Sequence, residues 1–214
     1  REAMDAYAIE SVHRALQAIE HKSLAAEISP LDIDGVAVSD DEQPGKAKID
    51  RIPTLRPAFK SDGTITAANA SSISDGASAL VLTRESNLNG RDPLARIVAH
   101  STHSIHPSEF TLAPIGAIEK LLEKTGWTAD SVDLFEINEA FAMVTMLTMQ
   151  ALKLPHEKVN IYGGACAQGH PIGSTGSRLI VTLAHAMQQQ GKTRGIAALC
   201  IGGGEATAVA LERT

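Results

Sequence analysis

The alternation of strand-like and helix-like segments between residues 95 and 212 is the feature that most restricts the fold of this chain. Apolar runs of strand length occur at 95–100, 132–137, 159–162, 195–200 and 205–212. Segments with helical periodicity lie between them, at 114–124, 139–152 and 174–190. Strands that alternate with helices are typical of layered α/β folds. Because only Gly202-Gly203-Gly204 separates the last two strands, we expect those strands to pair antiparallel.

Residues 1–93 have a less regular pattern, which predicts a helix over 1–22 that could restart over 23–27. Short strands are predicted at 28–33, 35–38 and 79–83. Residues 39–64 are irregular, and long irregular segments of compact proteins are usually functional or disordered. The sequence Leu55-Arg56-Pro57-Ala58-Phe59 within this segment favours an ordered binding loop. Because the chain opens inside a helical pattern without an initiator Met, we interpret it as a fragment.

Charge and hydropathy exclude several classes of protein. The formal net charge is −6, whereas nucleic-acid-binding domains normally carry a basic surface, so we expect no nucleic-acid partner. No apolar run reaches transmembrane length and no signal-peptide pattern opens the chain, so we expect no membrane partner. The two cysteines do not form the framework of a disulfide-rich secreted protein. Together these observations favour a cytoplasmic location, with an organelle matrix as the alternative.

Three glycine-flanked motifs in the last part of the chain place polar side chains where a strand or loop should end. They are Asn138-Glu139-Ala140-Phe141, the glycine-rich run around Gly169-His170-Pro171, and Cys200-Ile201-Gly202-Gly203-Gly204. Glycine at such positions allows the atoms of a ligand to approach the backbone closely. The three motifs together predict one site for thiol and acyl chemistry.

Each motif also has a structural interpretation that the residues alone leave open. Asn138 is either the N-cap of the next helix or an amide that orients a water or stabilises an oxyanion. His170 is either structural or a neighbour that lowers the pKa of a thiol and prepares it for attack. Cys200 is either a small core residue or a thiol beside the N–H groups of three glycines. Glu139 needs no role beyond that of a first-turn acid complementing the helix dipole.

Three further features carry less weight. His100, His103 and His106 alternate between the faces of a strand, so we expect no metal site there. Cys166 is interpreted as buried packing. The basic segment 46–60 faces either solvent or a phosphate-bearing ligand.

The chain resembles the C-terminal half of a thiolase, in the acetyl-CoA acetyltransferase branch, over nearly its whole length. Besides the three motifs, the resemblance rests on stretches near Arg1-Glu2-Ala3-Met4, Leu55–Phe59, Thr66–Ser71, Asp75–Ala77 and Gly163–Arg178. It implies an α/β fold with α/β/α layers, the C-terminal half of a five-layer αβαβα arrangement. It also implies that residues 1–72 belong to a CoA-binding loop domain, 73–93 close an N-terminal core domain, and 94–214 form the C-terminal core domain.

The resemblance implies a role for each candidate site residue. Asn138 would hold a catalytic water, and His170 would activate the nucleophilic cysteine and bind the thioester oxygen. Cys200 would be the acid and base that moves the α-proton, with a backbone N–H of Gly202 in the oxyanion hole. The residues implied to bind coenzyme A are Ser71 at the pantetheine, the apolar wall of Leu55, Ala58, Phe59 and Ile73, and Phe141 over the substrate end.

The implied reaction interconverts two acetyl-CoA molecules with acetoacetyl-CoA and CoA by a ping-pong mechanism. Coenzyme A is then a substrate or product, and no other cofactor is implied. The acylated cysteine would come from the N-terminal half, so we expect this chain alone to be inactive and the parent to be a homodimer or homotetramer. The alternatives are a thiolase for longer 3-ketoacyl-CoA substrates and a noncatalytic CoA-binding half-thiolase; a β-ketoacyl synthase is disfavoured because that family usually has histidine in place of Cys200.

Three positions depart from the family pattern. Ser72 replaces a usual glycine, Tyr162 stands where Asn is common, and Cys166 stands where an aliphatic residue is usual. The resemblance implies that these changes alter the edge of the pocket and spare its central roles.

Overall fold

The computed structural model describes residues 1–213 and opens with helix α1, Glu2–Glu20. The buried residues of α1 recur every three or four positions and so form one face: Met4, Asp5, Tyr7, Ala8, Ser11, Val12, Ala15 and Ala18. The predicted helix over 1–22 is therefore confirmed to within two residues. Residues 21–27 form turns instead of a second helix, and Lys22 adopts a φ of 55°.

The loop region after α1 is ordered by local structure and by one arginine. The hairpin strands β1 (Leu31–Ile33) and β2 (Val36–Val38) are shorter than predicted, and helix α2 (Gln43–Lys46) follows them. A 3₁₀ helix spans Ile49–Thr54, and its end is held by Arg1, whose guanidinium donates to the carbonyls of Ile52, Pro53 and Leu55. The segment thus has a defined conformation in the structure.

The main sheet has four strands in the order β3-β6-β5-β4: β3 (Arg96–Ser104), β4 (Leu134–Ile137), β5 (Arg194–Ile201) and β6 (Glu205–Glu212). β5 and β6 pair antiparallel, as the short glycine turn predicts. Gly204 in that turn has a φ of +90°, and an added Cβ would lie 2.5 Å from the carbonyl oxygen of Ile105. β4 and β5 pair in parallel, so their carboxyl ends lie at one edge of the sheet.

Helices cover both faces of the sheet: α3 (Ala113–Thr125), α4 (Ala142–Leu152), the short α5 (Ala165–Gln168) and α6 (Thr175–Gln189). Successive side chains of strand β4 point to opposite faces of the sheet and so pack in two different hydrophobic clusters. Phe135 and Ile137 pack in the cluster that contains α3, whereas Leu134 packs with Leu183 of α6. The layered α/β/α fold expected from the sequence is confirmed.

Three predicted elements are wrong. Residues 79–83 form no strand, and Val81 and Leu82 are 99% and 69% exposed, because no strand edge among residues 1–213 pairs with them. Residues 159–162 contribute only a single bridge from Val159 to Phe135, since the chain turns at Asn160, whose φ is 48°. The helix expected from residue 139 begins at Ala142, because 138–141 stay outside the helix.

A helix that crosses a bilayer needs about 20 consecutive, predominantly apolar residues. Within residues 1–213, no helix is both long enough and apolar enough to cross a membrane.

Candidate active site

Two of the predicted site residues lie at the carboxyl edge of the parallel strand pair. Asn138 follows β4, and its backbone N–H donates to the carbonyl of Ala198 on β5 at 2.9 Å. Cys200 lies two residues farther along β5, about 7 Å from Ala198 by strand geometry. The crevice outside the carboxyl ends of strands is where α/β sheets bind ligands. The strand register therefore brings Asn138 and Cys200 to the same edge.

His170 lies beside Asn138, on the loop between α5 and α6. Its Nε2 is 3.4 Å from Asn138 Nδ2, and its Nδ1 is 2.6 Å from Thr175 Oγ1. The Thr175 hydroxyl donates its only hydrogen to the carbonyl of Pro171 at 3.0 Å, so its oxygen accepts from Nδ1–H. In the neutral imidazole, Nε2 then carries the lone pair and faces the Asn138 amide.

Burial sets the protonation of both reactive groups. Burial, and then the positive charge of Arg178, lower the pKa of His170, so the neutral imidazole is favoured at neutral pH. Burial raises the pKa of Cys200 to about 11, so this side chain is a thiol at neutral pH. A resting thiolate at Cys200, which the neighbouring glycine N–H groups could have stabilised, is therefore disfavoured. An imidazole with a free lone pair and a protonated thiol are a base and an acid.

The helix-cap interpretation of Asn138 is also wrong. The N-cap position of α4 is Phe141, three residues later, and it makes no side-chain cap. Asn138 is 1% exposed, and its Oδ1 is among the buried atoms of the described chain that have no hydrogen-bond partner. An amide oxygen buried in this way is a group that a bound water or ligand would satisfy.

Residues 70–73 connect the Asn138 loop with the His170 loop. The backbone N–H and the hydroxyl of Ser71 both donate to the carbonyl of Ala140, at 3.1 and 3.0 Å. Ile73 forms a bridge with His170, while its side chain is 90% exposed. The structure thus brings Ser71 and Ile73 beside two of the predicted catalytic residues.

An aromatic pair borders the same loops. Phe141, which forms a bridge with Ala70, lies edge-to-face with Phe110 at a centroid distance of 6.0 Å. Phe110 was not among the predicted site residues, since it lies in a 3₁₀ segment at 107–112 that has no motif around it.

The remaining candidates occupy exposed loops. Leu55, Ala58 and Phe59 follow the Ile49–Thr54 helix, and the Phe59 side chain is 75% exposed. Within residues 1–213, no hydrogen bond joins these three to Asn138, His170 or Cys200. Gly202 lies in the exposed turn between β5 and β6, and an added Cβ would meet no atom within 4 Å. The apolar wall and the oxyanion donor therefore stay predictions.

Comparison with known proteins identifies the family. A family model described as "Thiolase, C-terminal domain" matches residues 91–213, and one described as "Thiolase, N-terminal domain" matches residues 1–86.

The chain belongs to the thiolase family.

The relatives of this thiolase chain include acetyl-CoA acetyltransferases. A probable acetyl-CoA acetyltransferase of Dictyostelium discoideum is 45% identical over 220 residues, covering 100% of this chain and 53% of that protein. The crystal structure of the Bacillus anthracis acetyl-CoA acetyltransferase matches with a TM-score of 0.96 and 41% identity, over 100% of this chain and 56% of that one. The chain spans about half the length of the curated relatives it matches.

A third relative has a different named activity. The human mitochondrial 3-ketoacyl-CoA thiolase, solved in complex with CoA, matches with a TM-score of 0.92 and 35% identity, over 100% of this chain and 55% of that one. The fold is therefore shared by thiolases with different named activities.

Glu139 of this thiolase chain has a structural role that no local sequence pattern indicates. It is 1% exposed, and its carboxylate accepts four hydrogen bonds. The donors are Tyr7 Oη at 2.8 Å, Ser11 Oγ at 2.8 Å, Asn160 Nδ2 at 2.8 Å and the backbone N–H of Cys166 at 3.0 Å. The expected role as a first-turn acid is wrong, because α4 starts after Phe141. Glu139 instead joins α1 to the segment that carries Asn138.

Cys166 is buried, as the sequence predicts, in the cluster that contains Met4, Tyr7, Ala8 and Ala142. Burial and the nearby charge of Glu139 raise the pKa of the Cys166 thiol well above its usual value. Its thiol is therefore protonated at neutral pH, in a buried position on the α1 side of the Glu139 loop.

A second buried acid of this thiolase chain, Glu136, lies on β4 beneath α6. It is 2% exposed, and its Oε2 is 3.5 Å from Arg178 Nη1. Burial raises the pKa of Glu136 to about 8, against the opposing effect of the Arg178 charge and with a contribution from Glu27. At this separation the loss of hydration outweighs the attraction of Arg178. Glu136 therefore keeps its proton at neutral pH.

We expect the raised pKa of Glu136 to make stability depend on pH. Because the folded-state pKa exceeds the ordinary 4.5, the protonated side chain stabilises the fold fully below pH 4.5, and this contribution is lost as the pH rises through about 8. Urea unfolding from about pH 5 to about pH 9 should show a loss of about 4 kcal/mol that Glu136→Gln does not share. Parallel pH profiles for the two proteins would contradict this assignment.

Proposed function

We propose that this chain carries the acid–base and CoA-binding half of an acetyl-CoA C-acetyltransferase, which interconverts two acetyl-CoA molecules with acetoacetyl-CoA and CoA. The observation that carries the proposal is the Asn138–His170 pair at 3.4 Å, at the sheet edge that Cys200 also reaches. The similarity to acetyl-CoA acetyltransferases, at 45% and 41% identity over 100% of this chain, supports the choice of reaction.

The proposed mechanism begins with a cysteine from the N-terminal half. His170 Nε2, which carries the lone pair, takes the proton of that thiol, and the resulting sulfur attacks the thioester carbonyl of the first acyl-CoA. The new imidazolium Nε2–H donates to the thioester oxygen and stabilises its developing charge. As the bond from carbonyl carbon to CoA sulfur breaks, the departing sulfur takes a proton from Cys200. An acetyl-enzyme and free CoA result.

The second half-reaction uses the same groups in the other direction. The Cys200 thiolate removes a proton from the methyl carbon of a second acetyl-CoA, and the carbanion is stabilised as an enolate. The N–H of Gly202 and a water held by Asn138 are the proposed donors to oxygen atoms that gain charge. The enolate carbon attacks the acetyl-enzyme carbonyl, the carbon–sulfur bond to the N-terminal cysteine breaks, and the departing cysteine sulfur takes back its proton from the His170 imidazolium. Acetoacetyl-CoA leaves.

The proposed CoA site runs from Ser71 outward over exposed apolar side chains. Ser71 contacts the pantetheine arm, and the wall of Leu55, Ala58, Phe59 and Ile73 covers it, with Phe141 over the acyl end. Within this proposal, residues 1–72 form part of the loop domain, 73–93 close the N-terminal core and 94–214 form the C-terminal core. The assembled protein is proposed to be a homodimer or homotetramer, with coenzyme A as its only small-molecule partner besides the acyl group.

Two alternatives remain open to experiment. A 3-ketoacyl-CoA thiolase for longer chains is supported by the similarity to the human mitochondrial enzyme of that name. A noncatalytic CoA-binding half-thiolase is compatible with the chain spanning about half of its relatives.

The assembly experiment tests the proposal. We expect the 214-residue chain alone to show no thiolysis of acetoacetyl-CoA above background, because the acylated cysteine is not in it. Co-expression with the N-terminal half of the same protein, or of the Dictyostelium relative, should restore thiolysis. Thiolysis is measured as the decrease in the absorbance of the acetoacetyl-CoA enolate. The control is the same N-terminal half with its reactive cysteine replaced by alanine, which should restore nothing.

The outcomes separate the three functions. Equal turnover of acetoacetyl-CoA and long-chain 3-ketoacyl-CoA would favour the broader thiolase. CoA binding by calorimetry without turnover in any assembled form would favour the noncatalytic module. Thiolysis by the 214-residue chain alone would contradict the proposed division of roles.

A further inference from the structure

A serine that departs from the family pattern makes an unusual set of hydrogen bonds beside the site. Ser72 Oγ accepts from Gln43 Nε2 at 2.5 Å and lies 3.0 Å from Ser74 Oγ. Ser74 Oγ is 3.3 Å from Gln43 Oε1, so the three side chains close a triangle. A glycine, which the family pattern has at position 72, would supply none of these side-chain contacts. We call Gln43, Ser72 and Ser74 the Ser72 clamp.

The Ser72 clamp acts on the backbone that places the two halves of the site. The carbonyl of Ser72 accepts from the backbone N–H of His170 at 2.9 Å, and its neighbour Ser71 donates to Ala140. Residue 72 therefore lies between the proposed pantetheine-binding serine and the proposed catalytic imidazole. Any shift of this backbone changes the distance between those two groups.

The Ser72 clamp is also packed against the glycine before His170. Gly169 has a φ of +85°, and an added Cβ would lie 2.1 Å from Ser74 Oγ and 2.9 Å from Gln43 Oε1. Gln43 is itself fixed at the start of α2, where its backbone N–H donates to Asp41 Oδ1 at 2.9 Å and the next residue, Pro44, is buried. The clamp thus connects a helix of the loop region to both loops of the site.

We propose that Ser72 and Gln43 are positioning residues that hold the His170 backbone in register with Ser71 and so set the affinity for coenzyme A. The enzymatic part of this proposal rests on the proposed function. The side chains of the clamp lie against Gly169 and α2. Their effect on the affinity for coenzyme A is therefore transmitted through the backbone of residues 71–72. Loss of a neutral hydrogen bond of this kind is worth about 1 kcal/mol, which corresponds to about a fivefold change in an equilibrium constant.

The experiment measures the backbone bond directly in the assembled protein. Amide hydrogen exchange at His170 is followed by NMR in the unmodified protein and in Ser72→Ala, Gln43→Leu and the double variant. We expect exchange at His170 to rise about fivefold in each single variant and no further in the double variant, because both remove one interaction. The matched control is Ser86→Ala, since Ser86 is exposed and its Oγ donates to the side chain of the neighbouring Asn87.

Steady-state thiolysis supplies the second measurement. The KM for CoA should rise about fivefold in Ser72→Ala and Gln43→Leu, while kcat changes by less than about twofold. Ser72→Thr, which keeps the hydroxyl, should restore most of both values. A change in global stability alone would move neither the KM nor the exchange at one amide relative to its neighbours.

The results test the positioning role of the Ser72 clamp separately from the proposed function. Unchanged exchange at His170 in both single variants, or additive effects in the double variant, would overturn the clamp even in an active thiolase. Changed exchange in an assembled protein without thiolase activity would support the clamp as a backbone device and contradict the proposed function. If Ser72→Ala does not fold, amide exchange at His170 in Gln43→Leu alone decides between the same outcomes.

Discussion

Replacing His170 with alanine in the assembled enzyme is expected to lower kcat/KM for acetoacetyl-CoA thiolysis by about a thousandfold. His170 Nε2 is the basic nitrogen, because Nδ1–H is bound to Thr175 Oγ1 at 2.6 Å. Its removal deletes both the base that ionises the nucleophilic thiol and the later donor to the thioester oxygen. Burial and Arg178 lower the pKa of His170 and keep the ring neutral at neutral pH. The activity of the unmodified enzyme should therefore fall only at a pH below that lowered pKa, where the base is protonated.

Thr175 separates the role of the tautomer from that of the ring itself. Thr175→Val removes the acceptor at Nδ1 and should lower kcat by about tenfold with little change in KM, whereas Thr175→Ser should keep most of the activity. His100→Ala is the control, because His100 lies exposed on β3. Normal thiolysis by His170→Ala would contradict the role given to this histidine and with it the proposed mechanism.

The position of the site could be predicted from the sequence because its residues lie at element ends. A strand that stops at Ile137 and another that stops near Cys200 must, if parallel and adjacent, expose the next residues at one edge. His170 could be placed near that edge because a glycine-rich turn leads into α6. The proximity of Asn138 and His170 therefore follows from the sheet topology together with the positions of the glycines.

The parts that could not be predicted depend on contacts distant in sequence. Glu139 is bound by Tyr7 and Ser11, which lie 132 and 128 residues earlier, and no local pattern records that contact. The segment at 79–83 has the β-branched and apolar composition of a strand, but a strand requires a neighbour, and composition does not supply one. Capping preferences also misplaced the start of α4, because Asn138 uses its amide toward His170 instead.

Burial of a carboxylate beside the site has to be offset by the donors around it. Glu139 is surrounded by a phenol, a hydroxyl, an amide and a backbone N–H, and burial together with Glu139 raises the pKa of Tyr7 well above its ordinary value. Tyr7 therefore remains a donor at neutral pH. The network also fixes the backbone beside Asn138, so that loss of Glu139 should disturb both the core and the site.

Replacing Glu139 with alanine is expected to lower the free energy of unfolding by about 4 kcal/mol. The variant leaves four donors buried without an acceptor and opens a cavity between α1 and the α5 segment. Glu139→Gln should lower it by about 2 kcal/mol, since the amide keeps the volume but turns one acceptor into a donor that faces other donors. Urea unfolding followed by circular dichroism gives both values.

The control and the partner variant make this prediction specific. Glu119→Ala removes an exposed glutamate on α3 and should change the free energy of unfolding by less than about 0.5 kcal/mol. Tyr7→Phe removes one donor, so in the Glu139→Ala background it should be nearly neutral or stabilising, although it is destabilising in the unmodified protein. If Glu139→Ala unfolds within about 1 kcal/mol of the unmodified chain, the four hydrogen bonds do not stabilise the fold, and the network is only a consequence of packing. Loss of the destabilising effect of Tyr7→Phe in the Glu139→Ala background is the stricter test, because a simple loss of packing at position 139 would leave the effect of the phenol hydroxyl unchanged.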